Sequence, residues 1–219
     1  MIDRYIKQYK TDELIGGYMY LNKPQGEILH KNIYKLEFKN LYSNIIVGLY
    51  NAGYIKDEDI KSFNLSEAIF KLKLYLTQPE PHDDWRLFVN GFYGKLYNND
   101  VRIGSMVAGF MHPFYEELRQ QTDNILSIDT DTIWYKDSLP QELFNELGLP
   151  YRIIPIDYFY LIEFKYKRYI EVCNGELKTK GIERKSGMSK EHQECLAKVK
   201  SLIKALDRED KINQILDEN

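Results

Sequence analysis

Apolar and polar positions change their period several times along the chain, and each change marks an element. Tyr18-Met19-Tyr20-Leu21 follows the paired glycines Gly16 and Gly17 and precedes Asn22-Lys23-Pro24-Gln25-Gly26-Glu27, a strand leading into a turn. Residues 32–38 alternate apolar and polar as a half-buried strand does, and residues 41–50 shift to helical spacing, so Glu37 falls near a strand end. Residues 66–76 read as a helix capped by Ser66, residues 78–84 as a proline-rich break, and residues 85–93 as a second helix. Residues 104–122 read as one helix kinked at Pro113. Residues 125–135 are two short apolar runs interrupted by Asp129-Thr130-Asp131, the pattern of a β-hairpin with acids at its tip. Residues 157–165 and 167–172 read as strands, Asn174-Gly175 as a tight turn and residues 176–183 as the returning strand; from Ser189 the spacing is helical.

At 219 residues, 43% hydrophobic and 14% aromatic, the chain is large enough for a real core. Cys173 and Cys195 are the only cysteines, too few for a disulfide framework and without zinc-site spacing. Neither a leader nor a membrane span is visible, so a cytoplasmic protein is expected, with no membrane partner. The net charge of −3 is unevenly spread: residues 164–204 hold eleven Lys or Arg against five Glu, a local +6 that leaves −9 elsewhere. Such a split lets one region attract a polyanion while another tolerates clustered carboxylates; a solvated Lys/Glu surface is the plainer alternative.

The acids suggest chemistry. Phosphoryl transfer commonly uses two divalent ions about 3.5–4 Å apart, and Mg²⁺ takes oxygen ligands, typically one or two carboxylates plus phosphates and water. A strand-end acid facing a neighbouring acidic hairpin tip would supply them, and Glu37 has that relation to Asp129 and Asp131 if their strands are neighbours. Taken alone, Asp-Thr-Asp is also an ordinary surface turn.

The order of six segments resembles the polymerising core of family B DNA polymerases. Residues 37–46, Glu37-Phe38-Lys39-Asn40-Leu41-Tyr42-Ser43-Asn44-Ile45-Ile46, resemble motif A, usually D-F-x-S-L-Y-P-S-I-I. Arg86, Asn90, Tyr93 and Gly94 resemble motif B, usually K-x-x-x-N-S-x-Y-G, and residues 127–132 motif C, usually Y-G-D-T-D-S. Leu14-Ile15-Gly16-Gly17, Lys167-Arg168-Tyr169 and Lys180-Gly181-Ile182-Glu183 resemble three flanking segments in the same order. Four departures matter: Glu37 for Asp, Arg86 for Lys, Ser43 for Pro and Leu14 for Tyr.

The resemblance implies an α+β palm with an antiparallel sheet flanked by helices. Residues 1–30 would form an N-terminal lead-in, 31–54 and 96–186 the palm, 55–95 short helical fingers, and 187–219 a vestigial helical thumb. It implies that Glu37, Asp129 and Asp131 are catalytic and, with the Phe38 carbonyl, hold two Mg²⁺ ions, for which Mn²⁺ could substitute. Asn40, Leu41, Arg86 and Asn90 would seat the dNTP, and Tyr42 would exclude a ribose 2′-hydroxyl. Gly16, Gly17, Tyr93, Gly94, Lys167 and Tyr169 would contact primer-template DNA. The implied activity is template-directed addition of dNTPs to a primer 3′-hydroxyl without proofreading, in a viral or plasmid setting, with a protein partner replacing the thumb's grip. The alternatives are a polymerase-like DNA-binding subunit of weak or no activity, and a primase-like nucleotidyltransferase.

If the basic stretch 164–204 meets phosphates, the DNA-binding constant falls steeply with salt in a titration from about 50 to 200 mM, as counterion release requires. A flat response would remove that stretch from the interface.

Overall fold

The computed structural model describes residues 2–6, 15–22, 29–60, 62–78, 83–161, 169–174, 176–180, 183–184, 187–188, 193–194, 197, 199–205 and 207–208. The elements are α1 (Ile2–Ile6), β1 (Met19–Leu21), β2 (Leu29–Phe38), α2 (Leu41–Asn51), a 3₁₀ turn (Asp57–Asp59), α3 (Leu65–Leu76) and α4 (Asp83–Asn99). Then follow α5 (Val101–Gly109), α6 (His112–Gln121), β3 (Ile125–Asp129), β4 (Thr132–Tyr135), α7 (Gln141–Leu147) and β5 (Tyr151–Leu161). The last are β6 (Tyr169–Cys173), β7 (Glu176–Lys180) and a small ladder of β8 (Glu183–Arg184) with β9 (Gly187–Met188).

Seven strands form an antiparallel sheet in the order β1-β3-β4-β2-β5-β6-β7, flanked by helices, which is the α+β class expected of the sequence. The chain divides into two compact units, residues 1–22 with 36–153, and residues 23–35 with 154–219. Residues 55–95, expected as fingers, belong to the first unit, and residues 187–219, expected as thumb, to the second. Among the described residues no helix is long and apolar enough to cross a membrane.

In the first unit, strand alternation sends Leu36, Phe38, Ile128, Ile133 and Tyr135 into the core. There they meet α6 through Phe114 and Tyr115 and α2 through Ile45, Ile46 and Leu49, all nearly or wholly buried. The Phe38 ring packs against Phe114 at 6.1 Å, Phe144 at 6.2 Å and Tyr151 at 6.3 Å.

The local expectations hold for the strand before Glu37, for α2 and for the acidic hairpin, with several corrections. Asn64, not Ser66, caps α3, accepting from the Glu67 N–H at 3.0 Å. Ser66 is drawn away because its N–H and hydroxyl both donate to Asp57, at 2.9 and 2.6 Å. The helix expected over 104–122 is two helices, α5 beginning at its Asp100 cap and α6 with Pro113 in its first turn, where a missing N–H costs nothing. The second helix of the pair is longer than expected and runs to Asn99. Helix α7 and the first turn of chain into β5 had no counterpart in the sequence reading. The turn at 23–27, Leu14, Lys167 and Gly175 lie outside the described residues.

In the second unit, β5, β6 and β7 form a meander with Tyr160, Ile170 and Val199 in its own small core. Lys35 donates to Glu171 at 2.8 Å, and the two side chains are only 8% and 4% exposed. Removing one member leaves the other charge buried without this partner. Glu171→Ala is therefore expected to cost about 3–5 kcal/mol in denaturant unfolding, whereas the double variant Lys35→Met with Glu171→Leu stays near or above the parent stability.

Candidate functional site

Stretches distant in sequence surround one cavity of about 540 Å³ in the first unit. Its wall is residues 40–43 at the start of α2, Tyr75 of α3, Val89 and Tyr93 of α4, and Thr130 and Asp131 of the hairpin tip. The tip is held by backbone pairing on all sides. The Thr130 N–H donates to the Tyr18 carbonyl at 2.8 Å, the Phe38 N–H donates to the Asp131 carbonyl at 2.8 Å, and the Asp131 N–H donates to the Asp129 carbonyl at 2.7 Å. Tyr115, wholly buried on α6, donates its hydroxyl to the Thr130 carbonyl at 2.7 Å.

Two residues of the wall have left-handed backbones, Thr130 at φ 58° and Asn40 at φ 50°. Asn adopts that region readily, whereas a β-branched threonine there is strained. The Asn40 side-chain oxygen accepts from the Tyr75 hydroxyl at 3.0 Å, which fixes the residue that starts α2. Tyr42 and Tyr93 stack with ring centroids 4.7 Å apart and planes 17° apart, joining α2 to α4 across the cavity. A Cβ on Gly17 would lie 2.6 Å from the Thr130 hydroxyl oxygen and 3.1 Å from the Tyr42 hydroxyl oxygen, so the chain passes there only as glycine.

The phenols of Tyr42 and Tyr115 lie near the two aspartates, and that of Tyr18 bonds Glu116 instead. Burial, then the neighbouring Tyr93 and the Asp131 and Asp129 carboxylates, raise the pKa of the Tyr42 hydroxyl. Burial first and Asp131 second raise that of Tyr115 well above the usual range. Burial, and next its hydrogen bond to Glu116, push Tyr18 up to about 12. These phenols stay protonated, and Tyr115 remains a donor to the hairpin tip.

The structure therefore brings together Asn40, Leu41, Tyr42, Tyr93 and Asp131 around the cavity, with Gly17 against Thr130 and Tyr42. Asp129 is 6% exposed beneath the tip. Phe38 is a core ring, Gly16 places its carbonyl 2.9 Å from His112 Nε2, and Gly94 lies on α4 outside the cavity wall. Arg86 and Asn90 lie on α4 and Tyr169 on β6, their side chains outside the described set. Tyr75, Tyr115 and Arg152 were missed, because a tyrosine on an apolar helix face and an arginine opening a strand carry no distinguishing sequence signal.

Glu37 is the exception to the gathering. Its Oε2 accepts from Arg152 Nε at 2.8 Å and from Arg152 Nη2 at 2.5 Å. Among the described residues, no group of three or more His, Cys, Asp or Glu side chains converges closely enough to hold a metal ion. The three-carboxylate cage expected for Mg²⁺ does not fit this arrangement, in which a guanidinium occupies one of the three acids.

The sequence matches no family model and no curated protein. Among solved structures, the family B DNA polymerase from the hyperthermophilic archaeon Pyrobaculum calidifontis is similar at a TM-score of 0.45 and 16% identity. The similarity covers 83% of this chain and 32% of that one, a distant likeness in which the chain spans about a third of the polymerase's length.

Gly17→Ala forces the hairpin tip or Tyr42 to move. It is expected to destabilise the protein by about 1–3 kcal/mol in denaturant unfolding, while Gly16→Ala, with nothing within 4 Å of its added Cβ, stays within about 0.5 kcal/mol.

Proposed function

We propose that the chain is a minimal polymerase-type nucleotidyltransferase that seats a deoxynucleoside triphosphate in the cavity and adds it to a primer 3′-hydroxyl on a DNA template. The observation that carries this reading is the convergence of residues 40–43, of Val89 and Tyr93, and of Thr130 and Asp131 on a single cavity. Those are the segments whose order resembles motifs A, B and C, and nothing in their spacing along the chain obliges them to meet.

The cavity's chemistry suits a nucleotide. The start of α2 has no side-chain cap bond from Asn40, so its first backbone N–H groups favour phosphate, and its first turn has no acid to oppose an anion. Ser43, in that turn, lines the cavity and is 1% exposed, and its hydroxyl has no hydrogen-bond partner among the described residues. A phosphate or sugar oxygen would satisfy it. The stacked Tyr42 and Tyr93 rings offer a flat apolar surface for a sugar and a nascent base pair, and Tyr42 is the residue on which discrimination against a 2′-hydroxyl would fall. Thr130 and Asp131 place a carboxylate on the opposite wall.

A second reading is a polymerase-like subunit that binds nucleotide or DNA with little chemistry of its own. The Glu37–Arg152 pair favours it, because a catalytic carboxylate is engaged by a cation of the same chain.

Extension of a labelled primer on a template, with Mg²⁺ or Mn²⁺ supplied, separates the two. The proposed function requires extension that Asp131→Ala lowers by roughly 10²-fold or more, and that Tyr42→Ala extends to ribonucleotides. Extension surviving Asp131→Ala would sink the site assignment. Nucleotide binding without extension in either metal would establish the second reading.

A further inference from the structure

The cavity wall carries a donor that its own chain leaves unused. Ser43 is the third residue of α2, is 1% exposed and lines the cavity. A helical serine can turn its hydroxyl back to the carbonyl four residues earlier. That carbonyl, of Lys39, is taken by the Asn44 amide nitrogen at 2.9 Å, which also reaches the Asn40 carbonyl at 3.1 Å. The Ser43 hydroxyl is left with no hydrogen-bond partner among the described residues. A buried hydroxyl in that state is costly, and a ligand oxygen in the cavity would complete its bonding.

The same helix end is arranged for an anion. The Asn40 side chain makes no cap bond, its oxygen accepting from the Tyr75 hydroxyl at 3.0 Å instead, and no acid stands in the first turn of α2. Among the described residues of the wall, Asp131 is the one acid. Among the described residues no set of three or more His, Cys, Asp or Glu side chains converges to hold a metal ion. Such a lining suits a polyphosphate gripped by hydroxyl and backbone donors rather than one presented through a metal.

We infer that the cavity binds the polyphosphate of its nucleotide directly, with the Ser43 hydroxyl donating to a phosphate oxygen, and that this binding step needs no divalent ion. The inference rests on the nucleotide reading of the cavity and concerns binding alone, not extension. Ser43 is one of the departures from the resembling motif, whose proline at that place has no donor to offer.

Its test is calorimetric titration of the full chain in EDTA at low salt, with dATP and inorganic triphosphate as probes. Both are expected to bind the parent, and Ser43→Ala to weaken both roughly tenfold or more, the worth of a hydrogen bond to a charged group. The hydroxyl removed has no partner among the described residues, so the variant should unfold at the parent's denaturant concentration or above, which separates lost binding from lost fold. Asp131→Asn should strengthen both probes, by removing the one acid of the wall that repels them.

Unchanged affinity in Ser43→Ala would overturn the inference, and so would a loss confined to dATP, which would put the hydroxyl on the sugar or base. Weaker binding in Asp131→Asn would count against it equally. If dATP binds only once Mg²⁺ is added, the direct grip is overturned and the proposed function stands. If dATP binds neither with Mg²⁺ nor without it, both fall.

Discussion

A threonine backbone at φ 58° is the constraint on which the site depends. A β-branched residue in that region costs on the order of 1–3 kcal/mol and persists only where its surroundings leave no other choice. Here the surroundings are three separate elements. The residue before β1 receives the Thr130 N–H, the end of β2 donates to the Asp131 carbonyl, and α6 donates through Tyr115 to the Thr130 carbonyl. Each of those partners is itself fixed. Phe38 and Tyr115 are buried in the main core, and Tyr18 is clamped by its hydrogen bond to Glu116 at 2.5 Å and by Arg119 at 3.0 Å. Arg119 also lies 3.9 Å over the Tyr20 ring, which binds the short β1 to α6. The acids at the tip inherit their position from this chain of contacts rather than from the hairpin alone.

The hairpin tip sets two aspartates close together at the border of an apolar core. Like charges close together raise each other's cost, and a dry neighbourhood raises it further. The phenols of Tyr42 and Tyr115 lie near both carboxylates, of which Asp129 is buried and Asp131 is exposed. Because burial and the nearby carboxylates raise the phenol pKa values, these hydroxyls do not add negative charge at neutral pH.

What was legible in the sequence was whatever a short pattern specifies. Two apolar runs around Asp129-Thr130-Asp131 gave the hairpin, and the switch of period after Phe38 gave the start of α2. Tertiary competition decided the rest. Asn64 and Ser66 are both good caps, and only the Asp57 carboxylate, which takes the Ser66 N–H and hydroxyl, selects between them. Pro113 was read as a kink because its position in a helix that restarts beside it is invisible without knowing where α5 ends. The stretch from Lys136 to Ile156 has three prolines and no steady alternation, which hid α7 and the first part of β5. Arg152 was hidden with it, and so was the most consequential contact of Glu37.

The cavity wall is unequal in stiffness. Its floor, the hairpin tip, is fixed by hydrogen bonds to several core-anchored partners, so no small displacement leaves them all intact. On the opposite side α3 and α4 share the main core with α2, and two side-chain contacts reach the cavity itself. The Tyr75 hydroxyl reaching Asn40 and the Tyr42–Tyr93 stack link α3 and α4 to the start of α2. Both can slide or part without unfolding a helix, since one is a single hydrogen bond and the other a ring contact worth about 0.5–1.5 kcal/mol. A ligand that inserts between the rings or takes the Asn40 amide therefore works against little resistance. One that must move Asp131 works against the whole core. The two rims of the cavity therefore differ in what holds them: side-chain contacts at α3 and α4, backbone hydrogen bonds at the hairpin.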